Sequence, residues 1–290
     1  MKNLFINDDR MSDFGGASAT LSALMDENSE FANLADLSIL NFDKFNNIIF
    51  GNFYVGAHQV DLSIFNNFKG NIFKVEFDYN FCKFRSPILK SIQDPSVDPF
   101  SGSEPLKNYY DFLKNRCKKF FFMSALQASI YEKLINLNTE NNVILSSYIS
   151  KSHLEYLNNL RDSKKTNKSA VVDAANDNQR ALKGVGESML FCRINNIEFD
   201  LIYDIDYLKF LEKLSGYSRL VFLPNNLDTC PRLLIEARIL GLEVITNQKS
   251  QHVFESWWSL PSDELCTYIS GRKDLFWQKI YENPNNNLSL

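Results

Sequence analysis

Two acidic side chains eight residues apart, Asp228 and Glu236, lie in the most informative stretch of the chain, from Leu223 to Thr246. An apolar run ends at Pro224, a short loop carries Asp228 and Thr229, and Pro231 suits the first turn of a helix, where its missing N–H would be unpaired anyway. The loop and the helix start therefore fall at the carboxyl end of a parallel strand, where open α/β sheets bind ligands. Asp228 can reach a ligand from the loop. Glu236, further along the helix, can accept two hydrogen bonds from a vicinal diol such as that of ribose, and the free N–H groups of the helix start favour an anion. On spacing alone a plainer reading stands beside this one: Asp is a common helix cap and Glu a common helical charge.

Arg180 and Lys183, followed by Gly184, form a second constellation. A guanidinium binds phosphate oxygens as a planar fork and an ammonium as a point charge, so the two could hold a diphosphate; an exposed basic pair on a helix is the alternative. Near the start, Gly15 and Gly16 follow a short apolar run and open a helix-like segment, where glycine lets the backbone approach a phosphate or sugar closely. This pair does not match the spaced glycines of a dinucleotide fingerprint. His58 reads as a surface or structural residue, His153 and His252 are too isolated for a zinc triad, and Trp257, Trp258 and Trp277 read as packing residues.

The elements that must position these residues alternate between short apolar runs and amphipathic segments, the pattern of parallel sheets covered by helices. Strands are expected at 4–6, 48–50, 72–77, 120–123 and 142–145, with helices at 17–25, 61–68 and 125–134. Polar and basic residues from Asp162 to Ser169 read as an exposed connection. A second series follows, with strands at 170–172, 199–203, 219–224 and 243–246 and helices around 189–192, at 206–214 and at 231–240, the last closed by Gly241. The tail from Asp263 to Ile280 is expected to be helical, and 283–287 to fray.

The segment from Asp228 to Thr246 resembles the donor-binding motif of family 4 retaining glycosyltransferases, with Asp228 where that family usually has Glu. The resemblance implies an α/β chain of GT-B fold: two Rossmann-like domains facing across a cleft. Residues 1–150 would form the acceptor-side domain, 151–275 the nucleotide-sugar domain, and 276–290 a helix end and tail. It also implies roles. Glu236 would bind the nucleotide ribose, Asp228 would lie near the donor sugar, and Thr229 and Cys230 would offer backbone amides. Arg180 and Lys183 would hold the donor diphosphate, and Gly15 and Gly16 would form the glycine loop facing the donor. Asp78, at the end of a strand where the family often has a catalytic-site His or acid, is a candidate for a hydroxyl contact. The implied activity is transfer of a sugar from a nucleotide diphosphate sugar, such as a UDP- or GDP-sugar, to an acceptor hydroxyl on a glycan, a lipid-linked molecule or another compound. Anomeric configuration would be retained, and neither cofactor nor metal would be needed. A sugar-nucleotide epimerase of the same fold, or a binding protein without turnover, are the alternatives.

Composition limits the field further. The chain has 290 residues, 44% of them hydrophobic and 23% charged, enough for about two domains, each with its own core. Its net charge of −4 provides no global positive field to hold nucleic acid, which is not expected as a partner. The 24 Phe residues and the many Asn fit an AT-rich coding sequence. Five widely spaced cysteines without a CxxC pair read as reduced cytosolic thiols. The N-terminus turns acidic too early for a signal-peptide core, and no apolar run approaches the roughly 18 residues of a membrane span. A cytoplasmic protein is expected, with peripheral contact at a membrane left open.

Overall fold

The computed structural model describes residues 1–8, 16–53, 60–94, 96–100, 103–138, 142–203 and 206–282. The chain divides into two compact units, residues 1–148 with 271–290, and residues 149–270. Each is a parallel sheet with helices, the α/β, twice Rossmann-like class expected from the sequence.

In the first unit, β1 (Asn3–Asn7), β2 (Ser29–Asn33), β3 (Asn47–Phe50), β4 (Asn71–Glu76), β5 (Cys117–Phe122) and β6 (Val143–Ile144) form one sheet in the order β2-β1-β3-β4-β5-β6. β1 and β3 are buried at every position, as strands covered on both faces must be. Their first residues line up with that of β4, and the amides form a ladder: Asn71 donates to Asn47 over 3.1 Å and Asn47 to Asn3 over 2.9 Å. The ladder ends on the hydroxyl of Tyr281, to which Asn3 donates. Some of the asparagine richness is therefore structural.

Tyr281 belongs to the last helix, Arg272–Tyr281, which packs on the first unit. Phe276 is fully buried against Phe5 and Phe121, and Trp277 Nε1 donates to the Leu24 carbonyl over 3.0 Å. The expected single tail helix is instead two, Ser262–Ser270 and Arg272–Tyr281, and residues 271–275, assigned from the sequence to the second domain, belong with the first unit. Aromatic side chains at 276 and 277 find their apolar partners on β1 and β5, which sequence order alone does not reveal. The expected fraying at 283–287 lies outside the described residues.

In the second unit, β7 (Thr166–Val172), β8 (Phe199–Ile202), β9 (Tyr217–Phe222) and β10 (Glu243–Thr246) pair in the order β10-β9-β7-β8. The chain steps from β7 outward to β8 and then returns to the other side of β7 for β9, so the topological switch point lies between β7 and β9. The expected connection at 162–169 is shorter than its polarity suggested: β7 begins at Thr166, its exposed polar start running into the buried Ser169, Ala170 and Val171. The main core packs Leu211, Leu214, Leu220, Leu234, Ile235 and Ile239 between the sheet and its helices. Gly241 closes the helix Arg232–Ile239 with φ of 75°, a left-handed conformation that glycine adopts without penalty.

Candidate functional site

Three of the second unit's site residues, Arg180, Lys183 and Asp228, lie by the segments that follow β7 and β9. Asp173 follows β7 directly, its backbone N–H bonded to Ile202 of β8. Its two carboxylate oxygens both accept from Arg180 Nη1, at 2.5 and 2.6 Å. Arg180 sits on the six-residue helix Asp177–Leu182, which Asn176 caps by accepting from the Gln179 N–H.

Lys183 ends that helix, and Gly184 turns the chain into the next, Val185–Ile194. Gly184 has φ of 65°, and a Cβ there would stand 1.7 Å from the carbonyl oxygen of Leu223. Only glycine fits a left-handed residue pressed so closely on backbone. The close approach ties the Lys183 turn to the segment after β9, as do hydrogen bonds from the Asn225 N–H to Leu182 and from its amide to Ala181. Lys183 Nζ then reaches Asp228 Oδ2 at 2.7 Å. Asp228 is fixed through its backbone, donating to Lys249 and accepting from Gln251. Thr229 is buried and Cys230 half-buried against the core, and Pro231 caps the helix Arg232–Ile239 without a side-chain hydrogen bond to its first N–H groups.

Glu236 occupies a separate, buried cluster. It is 2% exposed. Its Oε1 accepts from Arg232 Nε at 2.6 Å and from the Tyr207 hydroxyl, and His153 Nε2 stands 3.7 Å away, beyond hydrogen-bond distance. Arg232 lies one helical turn before Glu236. Tyr207 opens the helix Tyr207–Ser215, capped by Asp206, and His153 lies in the first turn of the helix Lys151–Arg161, capped by Ser150. Burial works to raise the Glu236 carboxyl; the surrounding His153, Arg232 and Tyr207 outweigh it and hold the group below the ordinary carboxylate value. Burial, reinforced by the Glu236 charge, pushes the Tyr207 phenol well up, so it remains a donor.

Next to Asp228, His252 is fully buried against Trp257, and neither ring nitrogen has a hydrogen-bond partner; burial pushes the imidazole down to about 3, so it is neutral. Among the described residues no group of three or more His, Cys, Asp or Glu side chains is arranged to hold a metal ion, and no helix is long and apolar enough to cross a membrane.

The structure therefore brings Lys183 and Asp228 together, gives Arg180 a different carboxylate, and sets Glu236 among partners of its own. The remaining sequence candidates lie in the first unit. Asp78, in the loop after β4, is half exposed and paired with Arg85, whose backbone is left-handed at φ of 51°. Gly16 is the exposed first residue of the helix Gly16–Leu24. Gly15 and His58 lie outside the described residues. Beneath Asp78, Lys74 and Glu76 are wholly buried: Lys74 donates to the Gly51 and Val75 carbonyls, while Tyr110, Tyr131 and Asn80 donate to Glu76. Each charge is satisfied internally, as a structural pair requires.

Sequence reasoning missed Asp173, Arg232, Tyr207 and His153. Asp173 was signalled by its place just after an expected strand, and Arg232 by its i, i+4 relation to Glu236. Tyr207 and His153 reach Glu236 only through the packing of separate helices.

No protein-family model matches the sequence, and no curated protein matches it. Solved structures do resemble it. HepE of Anabaena, in a crystal structure with UDP-glucose, superposes with a TM-score of 0.53 at 10% identity, covering 97% of this chain and 95% of that one. AviGT4, a glycosyltransferase involved in avilamycin A biosynthesis, gives 0.51 at 7% identity, covering 97% of each chain. At these identities the likeness is one of fold, and it extends over nearly the whole chain: two Rossmann-like units of the GT-B class.

Proposed function

We propose that this protein is a glycosyltransferase that moves a sugar from a nucleotide diphosphate sugar to an acceptor hydroxyl with retention of configuration. The observation that carries the reading is the placement of Arg180 and Lys183 at the switch point between β7 and β9, each steered by a carboxylate at a strand's carboxyl end. Open α/β sheets bind ligands there. Two cations at the same end of the sheet suit a leaving diphosphate, whose negative charge grows as the glycosidic bond breaks. In this reading they supply that charge without a metal. The likeness to HepE, which was solved with UDP-glucose, favours a UDP-sugar as donor.

Retention rests on the resemblance of the Asp228–Thr246 segment to family 4 retaining enzymes, and it does not require an attacking carboxylate of the kind retaining glycosidases use. In the alternative, the acceptor attacks the face from which the diphosphate departs, and the departing phosphate takes the acceptor's proton. The residues then have these roles: Arg180 and Lys183 hold the diphosphate, Asp228 lies beside the sugar, Thr229 and Cys230 present backbone amides, and Glu236 receives the ribose. Gly15, Gly16 and Asp78 are assigned to the donor and acceptor side of the first unit.

The test is calorimetric titration of UDP, GDP and their sugars into the wild type and into Arg180→Ala and Lys183→Ala. Binding to the wild type that falls by about ten-fold or more in each variant supports the assignment. Unchanged affinity in both would remove it.

A further inference from the structure

Of the two carboxylate oxygens of Glu236, Oε1 already receives Arg232 and Tyr207, with His153 close by. A diol held with one hydroxyl on each oxygen needs Oε1 as well, so one of these must yield if Glu236 is to take both hydroxyls. Arg232 carries a permanent charge; moving it would leave Glu236 buried with no counter-charge. His153 is too distant to be displaced from a hydrogen bond. Tyr207 contributes a neutral O–H donor to a carboxylate, the same kind of group that a ribose hydroxyl would bring.

Its setting also lets the hydroxyl be replaced while the ring stays. The Tyr207 ring stacks on the His153 ring at 5.5 Å between centroids and 10° between planes, and the Arg232 guanidinium lies over it at 5.8 Å. Those contacts hold the ring independently of the O–H. Tyr207 is also the first residue of its helix, just beyond the carboxyl end of β8, where the strand neighbours β7.

We infer that Tyr207 is a positioning residue whose hydroxyl stands in for a ribose hydroxyl on Glu236 when no nucleotide is bound, and that the nucleotide's diol displaces it on binding. Tyr207 keeps the buried carboxylate satisfied in the free protein and lowers nucleotide affinity by the strength of the bond it must surrender. This rests on the donor reading above, and in particular on Glu236 as the ribose contact.

The inference is tested by titrating UDP and 2′,3′-dideoxy-UDP, which lacks the diol, into the wild type and Tyr207→Phe. The Phe variant keeps the ring and its stacking. It should bind UDP about ten-fold more tightly than the wild type does, the scale of one hydrogen bond to a charged group, with no gain for the dideoxy nucleotide. A purely structural tyrosine would shift both nucleotides together, and an equal shift, no shift, or weaker UDP binding overturns the inference while leaving the donor reading intact. Glu236→Gln provides a second comparison, in which the preference for UDP over its dideoxy form should shrink. If the wild type binds the two nucleotides alike, Glu236 is not the ribose contact and the inference falls with that assignment. If it binds neither UDP nor GDP, the donor reading itself fails.

Discussion

The ammonium of Lys183 lies 2.7 Å from Oδ2 of Asp228, and about half of the Lys183 side chain is exposed. Ion pairs open to water contribute about 0–1 kcal/mol, so an arriving phosphate can take over this lysine at small cost. Asp228→Asn should therefore leave the melting temperature nearly unchanged while raising affinity for a nucleoside diphosphate several-fold, because a competing anion is gone. Lys183→Met should do the opposite to affinity. Calorimetry on both variants, with melting curves as the control, checks the pair.

Arg180 depends on Asp173 for its direction. Asp173→Asn keeps the shape but removes the charge that holds the guanidinium, and the Michaelis constant for donor should rise by about five- to ten-fold, with a smaller change in turnover. Steady-state kinetics over a donor series separates the two. A larger loss in turnover than in apparent affinity would indicate that Asp173 acts in the chemistry instead.

Gly184→Ala should be among the most damaging single changes in the second unit. The substitution forces a left-handed alanine against the Leu223 carbonyl, a clash the backbone can relieve only by separating the Lys183 turn from β9. A loss of about 3 kcal/mol or more is expected, of the order of 10 °C in melting temperature. Differential scanning calorimetry measures it directly.

Acid should weaken the second unit through Glu236. The carboxyl is held below its ordinary value of 4.5 in the folded protein, so its contribution to stability is complete above that value. It is lost as the pH falls through the lower folded value. Denaturant titrations between pH 7 and pH 3 should show a shallower acid decline for Glu236→Gln than for the wild type, from a lower starting stability, because Arg232 loses its counter-charge.

Phe276→Ala should destabilise the first unit by about 3–5 kcal/mol, although position 276 is far along the chain from β1 and β5. The ring is fully buried between Phe5 and Phe121. Hydrogen exchange resolved by segment should show the loss of protection in β1 and β5, with β7 and β9 much less affected.

The second unit was largely legible in the sequence because its punctuation agrees with its periodicity. Pro224, Pro231 and Gly241 bound a strand, a loop and a helix within one short stretch, and the spacing of Leu208, Leu211 and Leu214 marks the helix Tyr207–Ser215. The first unit was harder. β2 is an edge strand in which only Ala32 is buried, so it lacks an apolar signature. The helix Glu104–Arg116 does carry one, with Leu106, Tyr109, Tyr110 and Leu113 on its buried face, in a stretch to which the sequence reading gives no element. At the site, residue types and order pointed to Arg180, Lys183, Asp228 and Glu236, but the actual pairings required the fold. Charges brought together by turns of different strands leave no trace in local spacing.

The return of the final helix to the first unit has a consequence for biogenesis. On the ribosome β1 emerges well before Phe276, Trp277 and Tyr281, which cover it. The polypeptide between them, residues 149–270, is continuous and holds its own core, so it can complete its packing while the earlier segment waits with an uncovered apolar surface. Translation that stops short of the last helix should yield chains that aggregate through their N-terminal half, and a chaperone that shields that surface would raise the yield of intact protein.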